Sequence, residues 1–286
     1  MRVFFLTFVL ITLNSFLLIG QRTDYGSTTN RYSISSDEEK VYQLKVTLPQ
    51  DYDENKDYRT LYYLDSWWLS EIVMGSYALL TISEKIDDVV LVGISLDGSL
   101  LDWNIQRTFD FTPSKYNMPV SQTVGMGENA IPLNENTTGG GEKFIEFLET
   151  KVLKFIDDKY PNLSKNRGLL GHSFGGLFGF YVIQNRPALF SDFIIISPAL
   201  WWNKSELLQE ELFSEFKEDE QQAKLYLSYG EDEFKWIVSS NIEMDNVINN
   251  LGKSRLDYKF VAYDKTNHNS ILPKAIYDGL MYLYGR

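Results

Sequence analysis

The chain has 286 residues, 44% of them hydrophobic and 15% aromatic, enough for one large domain with a substantial core and without a reason to posit two. A net charge of −12 argues against a nucleic-acid binder, which needs basic surface to neutralise phosphates, and against adhesion to anionic lipid. No cysteine is present, which removes disulfides, thiol nucleophiles and an acylated-cysteine anchor, and the two histidines, His172 and His268, are too few for a zinc site built on several of them.

Residues 1–20 read MRVFFLTFVLITLNSFLLIG, with basic Arg2 before an apolar run, the shape of a secretory signal peptide. The competing reading is an uncleaved anchor, for which the stretch is barely long enough and is interrupted by Asn14. The expectation is export to the periplasm or beyond, with a single domain over residues 21–286 and no lasting membrane partner. Tyr42, Leu44, Val46 and Leu48 alternate with polar residues, the period of a half-buried strand. From there the pattern changes to short apolar runs at Leu61–Leu64, Val89–Ile94, Gly168–Leu170, Phe193–Ile196 and Leu225–Tyr229, with an alternating stretch at Leu256–Tyr263. Helical spacing lies between them, at Phe144, Leu148, Val152 and Phe155 and again over Leu207–Phe216. Apolar strands alternating with helices predict an α/β fold, a mostly parallel sheet covered on both faces, with antiparallel strands at its N-terminal edge. Asp110–Gly141 is long, aperiodic and punctuated by Pro113, Pro119, Pro132 and a glycine triplet, the marks of a binding wall or lid.

Gly171-His172-Ser173-Phe174-Gly175-Gly176 fits the nucleophile elbow G-x-S-x-G, between an apolar strand end and a helical run. The glycines are expected because a side chain on either side of the strained serine would strike the adjoining strand or helix. The N–H of Phe174, at a helix N-terminus, points to where negative charge would develop, and the second such donor is expected after the strand Leu61–Leu64, at Trp67 or at Ser66. A serine needs a base. His172 adjoins Ser173 and would point elsewhere in the turn, which leaves His268, in the loop after the last strand, where this fold places its histidine. The orienting acid is expected in Gly230-Glu231-Asp232-Glu233, after the strand between them, where any of three carboxylates would serve.

Taken together, these motifs resemble the esterase D-like group of α/β-hydrolases, which includes the siderophore esterases. The likeness rests on Leu61-Tyr62-Tyr63-Leu64-Asp65, on Val90–Ser95 followed by Arg107-Thr108-Phe109-Asp110-Phe111-Thr112-Pro113, on Gly139-Gly140-Gly141-Glu142-Lys143-Phe144, on the elbow, on Ser197-Pro198-Ala199-Leu200-Trp201-Trp202 and on His268. It extends from about Tyr32 to the C-terminus. Gly230–Glu233 matches the group's G-x-x-E, which selects Glu233 as the acid over Asp232 and Glu231. The departure is Asp65-Ser66 where the group usually has Asp-Gly, which leaves the second oxyanion donor between Trp67 and Ser66.

The resemblance implies hydrolysis of carboxylic esters or thioesters through an acyl-enzyme on Ser173, without metal or organic cofactor. With an export signal it implies a small-molecule or glycan-linked ester outside the cytosol: a siderophore first, a carbohydrate-linked ester second. Trp201, Trp202 and Arg107 are the candidate substrate contacts. An acyltransferase using the same three residues and a silent binding protein on the same fold are the rival readings.

Overall fold

The computed structural model describes residues 21–22, 27–116, 122–125, 127–208, 223–250 and 256–286. The expected leader over residues 1–20 and most of the expected helix Leu207–Phe216 lie outside the described residues. No helix among the described residues is long and apolar enough to cross a membrane.

An N-terminal edge of β1 (Gln21–Arg22), β2 (Thr28–Ser35) and β3 (Val41–Leu48) precedes the parallel part of the sheet. Then come β4 (Tyr58–Tyr63), α1 (Ser66–Ile82), β5 (Val89–Leu96) and α2 (Leu100–Asp110). A small hairpin of β6 (Thr123–Val124) and β7 (Ile131–Pro132) follows. Next, α3 (Gly141–Phe147) runs through a π-helical turn, Leu148–Leu153, into α4 (Lys154–Lys159). The second half holds β8 (Leu163–His172), α5 (Phe174–Asn185), β9 (Asp192–Ile196) and the short turn α6 (Trp202–Ser205). It ends with β10 (Ala223–Gly230), α7 (Lys235–Asn250), β11 (Leu256–Tyr263) and α8 (Leu272–Tyr284).

The main sheet has the order β1-β2-β3-β5-β4-β8-β9-β10-β11. Strands β5 to β11 in that order are parallel, and β1, β2 and β3 are antiparallel to their neighbours. The apolar runs are continuous because each strand buries both of its faces. Tyr62, Val92, Leu169, Phe193 and Leu225 point into a core shared with α3, α4, α5 and α7. Their neighbours Leu61, Leu91, Leu170, Ile194 and Tyr226 point to the other side, against α1 and α8. Each such aliphatic side chain removed from water contributes roughly 1.5–3 kcal/mol.

One element differs from the sequence reading. β8 has ten residues where Gly168–Leu170 alone was expected. Its polar first half, Ser164-Lys165-Asn166-Arg167, hides it from an apolar count, yet Leu163 and Arg167 pair with Tyr58 and Thr60 of β4. The loop Asp110–Gly141 is tied at both ends by threonines: Thr112 Oγ1 accepts from the N–H of Gly139 at 2.7 Å, and Thr138 Oγ1 from that of Tyr116 at 2.8 Å.

Asp110, at the end of α2, is buried with its carboxyl accepting from Tyr42 Oη at 2.7 Å and from Gln106 Nε2 at 2.6 Å. Burial pushes its pKa up to about 7, against the pull of those hydrogen bonds and of nearby Lys40, and with a smaller push from Glu38. The folded chain therefore keeps a proton that an unfolded aspartate releases near 3.8. Stability from this group is present at low pH and is lost as pH rises from about 4 to about 7, by at most about 4 kcal/mol. Asp110→Asn should lack that slope. Urea unfolding at pH 5 and pH 8 should show the variant gaining on the wild type as pH rises; a difference that does not change with pH contradicts the assignment.

Candidate active site

In an open parallel sheet the carboxyl ends of the strands, where connections leave for opposite faces, form the natural crevice. All the residues singled out by sequence lie at that edge. Ser173 follows β8 directly and has φ 60° and ψ −118°, a conformation that costs a non-glycine residue energy and survives only if its surroundings fix it. They do so through the backbone: Ser173 N–H donates to Ile196 O at 3.0 Å, and Ser173 O accepts from Leu177 and Ala199 at 3.0 and 3.1 Å. The glycine expectation holds on one side only. A Cβ on Gly171 would lie 2.1 Å from the Gly175 carbonyl oxygen, whereas one on Gly175 would meet Leu64 Cδ1 at an ordinary 3.6 Å.

His268 lies in the turn between β11 and α8. Asn267 builds that turn, its Oδ1 accepting from the N–H groups of Asn269 and Ser270 at 3.2 and 3.0 Å. His268 Nδ1 donates to Glu233 Oε2 at 2.7 Å, which leaves Nε2 as the acceptor a serine proton requires. The Glu233 side chain is fully buried, and its other oxygen accepts from Ser197 Oγ at 2.5 Å and from Gly230 N–H at 2.7 Å. Glu231 and Asp232 are exposed; their backbone N–H groups donate to Tyr263 and Thr266, joining the acid loop to the histidine loop. The hydroxyl of Ser173 and His268 Nε2 are not hydrogen-bonded to each other, a contact that in free hydrolases commonly tightens only when substrate arrives.

The helix N-termini at Phe174 and at Ser66-Trp67 leave first-turn N–H groups without helical acceptors. Leu64 N–H donates to Leu170 O at 3.0 Å, so the loop before α1 lies alongside the strand that carries the elbow. Asp65, at φ 54° and ψ 34°, starts α1 without capping it through its side chain. Its carboxylate instead takes a two-pronged hydrogen bond from Arg107, Nε to Oδ1 at 2.9 Å and Nη2 to Oδ2 at 2.8 Å. The serine at position 66 is accommodated on the opposite side by Gly93, where any added Cβ would come within 2.7 Å of Ser66 Cβ.

Three of the expected substrate contacts thus separate. Arg107 is buried, its guanidinium engaged by Asp65 and packed near the rings of Trp103, Phe111 and Phe174 at 5.0, 5.5 and 5.7 Å; it holds the loop before α1 instead of facing a ligand. Trp202 is fully buried, edge-on to Phe174 at 5.6 Å, with Nε1 donating to Ser114 Oγ at 3.2 Å; it is core, not a stacking wall. Trp201 stays half-buried. Sequence reasoning missed Ser197, whose hydroxyl holds Glu233, and Asp65, the partner of Arg107. The signal for the first was the Ser-Pro turn ending the strand between nucleophile and acid.

A buried ion pair stripped of one member leaves an uncompensated charge, at a cost of about 3–5 kcal/mol. Arg107→Ala should therefore lower the unfolding free energy by about that amount, and Asp65→Ala, Arg107→Ala together should cost less than the sum of the two single changes. Denaturant unfolding of the four proteins checks this; additive effects would mean that the pair does not act as a unit.

Against this geometry, the family model described as "Putative esterase" matches residues 35–269. The chain is 32% identical over 146 residues to the siderophore triacetylfusarinine C esterase of Aspergillus fumigatus, covering 50% of this chain and 44% of that one. It is 26% identical over 275 residues to the ferri-bacillibactin esterase BesA of Bacillus subtilis, covering 88% and 90%. The chain thus spans less than half the length of the fungal relative and most of the bacterial one. Among solved structures, the BES protein from Bacillus cereus superposes with a TM-score of 0.77 at 22% identity, over 90% of this chain and 96% of that one, a likeness of fold. With its mixed sheet, its strained elbow and a family match across most of its length, the chain belongs to the esterase family of α/β-hydrolases.

Proposed function

We propose that the chain is a serine hydrolase of carboxylic esters in which Ser173 is the nucleophile, His268 the base and Glu233 the acid that orients it. The observation that carries this reading is the 2.7 Å hydrogen bond from His268 Nδ1 to a buried Glu233, at the same sheet edge as a serine on a strained turn. The Ser173 oxygen attacks the ester carbonyl while its proton passes to His268 Nε2. The oxyanion is received by the N–H groups of Phe174 and Trp67. Collapse breaks the bond to the alcohol, which leaves with the proton from His268. Water, giving its proton to the same nitrogen, attacks the acyl-enzyme and frees Ser173.

Active-site fluorophosphonate should label Ser173 in the wild type and nothing in Ser173→Ala. Glu233→Gln should lower kcat by about three to four orders of magnitude, as loss of the orienting carboxylate does elsewhere. A wild-type protein that is folded and neither reacts with the probe nor turns over any p-nitrophenyl ester contradicts the reading.

A siderophore ester is the substrate class we favour. The names of the relatives point to it, and so do two aromatic stacks, each with at least one exposed ring, in or beside the helices that follow strands of the sheet. Trp67, 46% exposed, stacks on Trp103 at 5.7 Å after β4. Phe234 and Trp236, 63% and 52% exposed, lie parallel at 4.5 Å and 4° directly after Glu233. In sheet order β4 and β10 bracket β8 and β9, so these stacks stand on either side of the nucleophile's strand. Such surfaces suit flat aryl groups. The leader-like residues 1–20 support action outside the cytosol, where such ligands are met. A turnover screen of trilactone siderophores, feruloylated and acetylated sugars and short acyl esters should favour the aryl trilactones. Trp236→Ala should raise KM for them by about tenfold, with little effect on p-nitrophenyl acetate. Equal effects on both substrates would remove the stack from the binding site.

A further inference from the structure

His172, next to the nucleophile, is the histidine that the proposed chemistry does not use. It is 2% exposed, and its Nε2 lies 2.8 Å from the main-chain carbonyl oxygen of His268, with the two rings 4.5 Å apart. A carbonyl oxygen only accepts, so Nε2 carries the proton and Nδ1 is left as a bare acceptor. That nitrogen is buried without a partner; the ring packs T-shaped with that of Trp68, centroids 5.8 Å apart, and the indole Nε1 of Trp68 is also buried without one. The surroundings suit a neutral ring. Burial, and after it the neighbouring His268 and Arg107, drive the His172 pKa well below the usual histidine range, while the bond to the His268 carbonyl pulls weakly the other way.

The contacts close into a ring around the reacting atoms. Ser173 N–H donates to Ile196 O; Ser197, the next residue, holds Glu233; Glu233 holds the imidazole of His268; and the carbonyl of His268 is held by His172, which is bonded to Ser173 through the chain. The side-chain bond to Glu233 fixes only one end of His268, which is 30% exposed in a surface turn. The bond from His172 fixes its backbone.

We propose that His172 is a positioning residue, a neutral imidazole whose Nε2–H tethers the backbone of His268 and so sets the base relative to Ser173. This rests on the reading of Ser173 and His268 given above. A small displacement of the base raises the barrier without weakening substrate binding, and a misplacement of about 1 Å costs on the order of a hundredfold.

The test compares His172→Leu with His172→Gln, whose amide reaches the position of Nε2 and restores the donor. On p-nitrophenyl acetate, His172→Leu should lose about ten- to a hundredfold in kcat with KM within about threefold, and His172→Gln should recover most of the loss. A folded His172→Leu with kcat within about twofold of the wild type overturns the proposal, as does a His172→Gln no better than His172→Leu. Nitrogen NMR of the histidine-labelled chain reads the tether without turnover, and with two histidines the spectrum is simple. His172 should remain neutral and protonated on Nε2 from pH 8 to pH 5; a ring that titrates in that range or carries its proton on Nδ1 overturns the proposal. A wild type with no esterase activity but with this signature defeats the hydrolase reading and leaves the tether standing as structure.

Discussion

A carboxylate placed out of reach of water must be given donors, and the side chain of Glu233 is given three. They come from Ser197 after β9, from Gly230 at the end of β10 and from His268 after β11. One buried charge thereby staples the connections of three adjacent strands. Most of what is orderly at this edge of the molecule follows from that demand. Ser197 takes φ 46° to present its hydroxyl, while its N–H donates to Ser228 O at 2.7 Å. The acid loop turns back so that exposed Glu231 and Asp232 are held by their backbone N–H groups, which donate to Tyr263 and Thr266. The imidazole, having given Nδ1–H away, has a single basic nitrogen left.

The loop ahead of α1 is fixed by a second buried charge. Asp65 is held in a left-handed conformation that few residues adopt, and its carboxylate is matched by the planar fork of Arg107. Lysine would supply the charge without the two parallel hydrogen bonds. Because Arg107 also packs near the ring of Phe174, the loop before α1 and the first residue of α5 share one partner. Two helix N-termini are thus set by contacts that exist before any substrate does, the prior placement that the proposed oxyanion donors would need.

The sheet's parallel strands were legible because burial on both faces leaves runs that are hard to mistake, as at Val89–Ile94 and Phe193–Ile196. Ser173 and His268 were legible because the elbow has a local pattern and the chain offers few histidines. Glu233 needed a family pattern, since Glu231 and Asp232 carry the same group and only the fold decides which one turns inward. The roles of Arg107, Trp202 and His172 are not legible in the sequence, for one shared reason. Sequence shows that a polar or aromatic residue lies near a catalytic loop in the chain, but not whether its side chain faces the crevice or the packing beneath it. Arg107 faces Asp65, forty-two positions away, and His172 faces His268, ninety-six away. The first half of β8 was missed because Ser164-Lys165-Asn166-Arg167 has no apolar run, though its strand is continuous with the one that ends in the elbow.

These placements separate what the fold must keep from what it is free to change. The three groups proposed to carry the chemistry are held by contacts within the sheet edge, and none of those contacts uses the exposed face of Trp67, Trp103, Phe234 or Trp236. Nor does the Phe234–Trp236 stack support the core, since both rings lie mostly in solvent while Ile237, their neighbour, makes the packing contact for α7. An exposed aromatic pair gains only its own ring contact for folding, and it raises the risk of association. Its presence beside Glu233 fits the proposed recognition of a flat aryl group, and Arg107, already paired with Asp65, is engaged elsewhere. Under the proposed reading, ring contact and shape at positions 234 and 236 can change while the buried charges stay as they are; Trp103, which packs on Arg107, is tied to them.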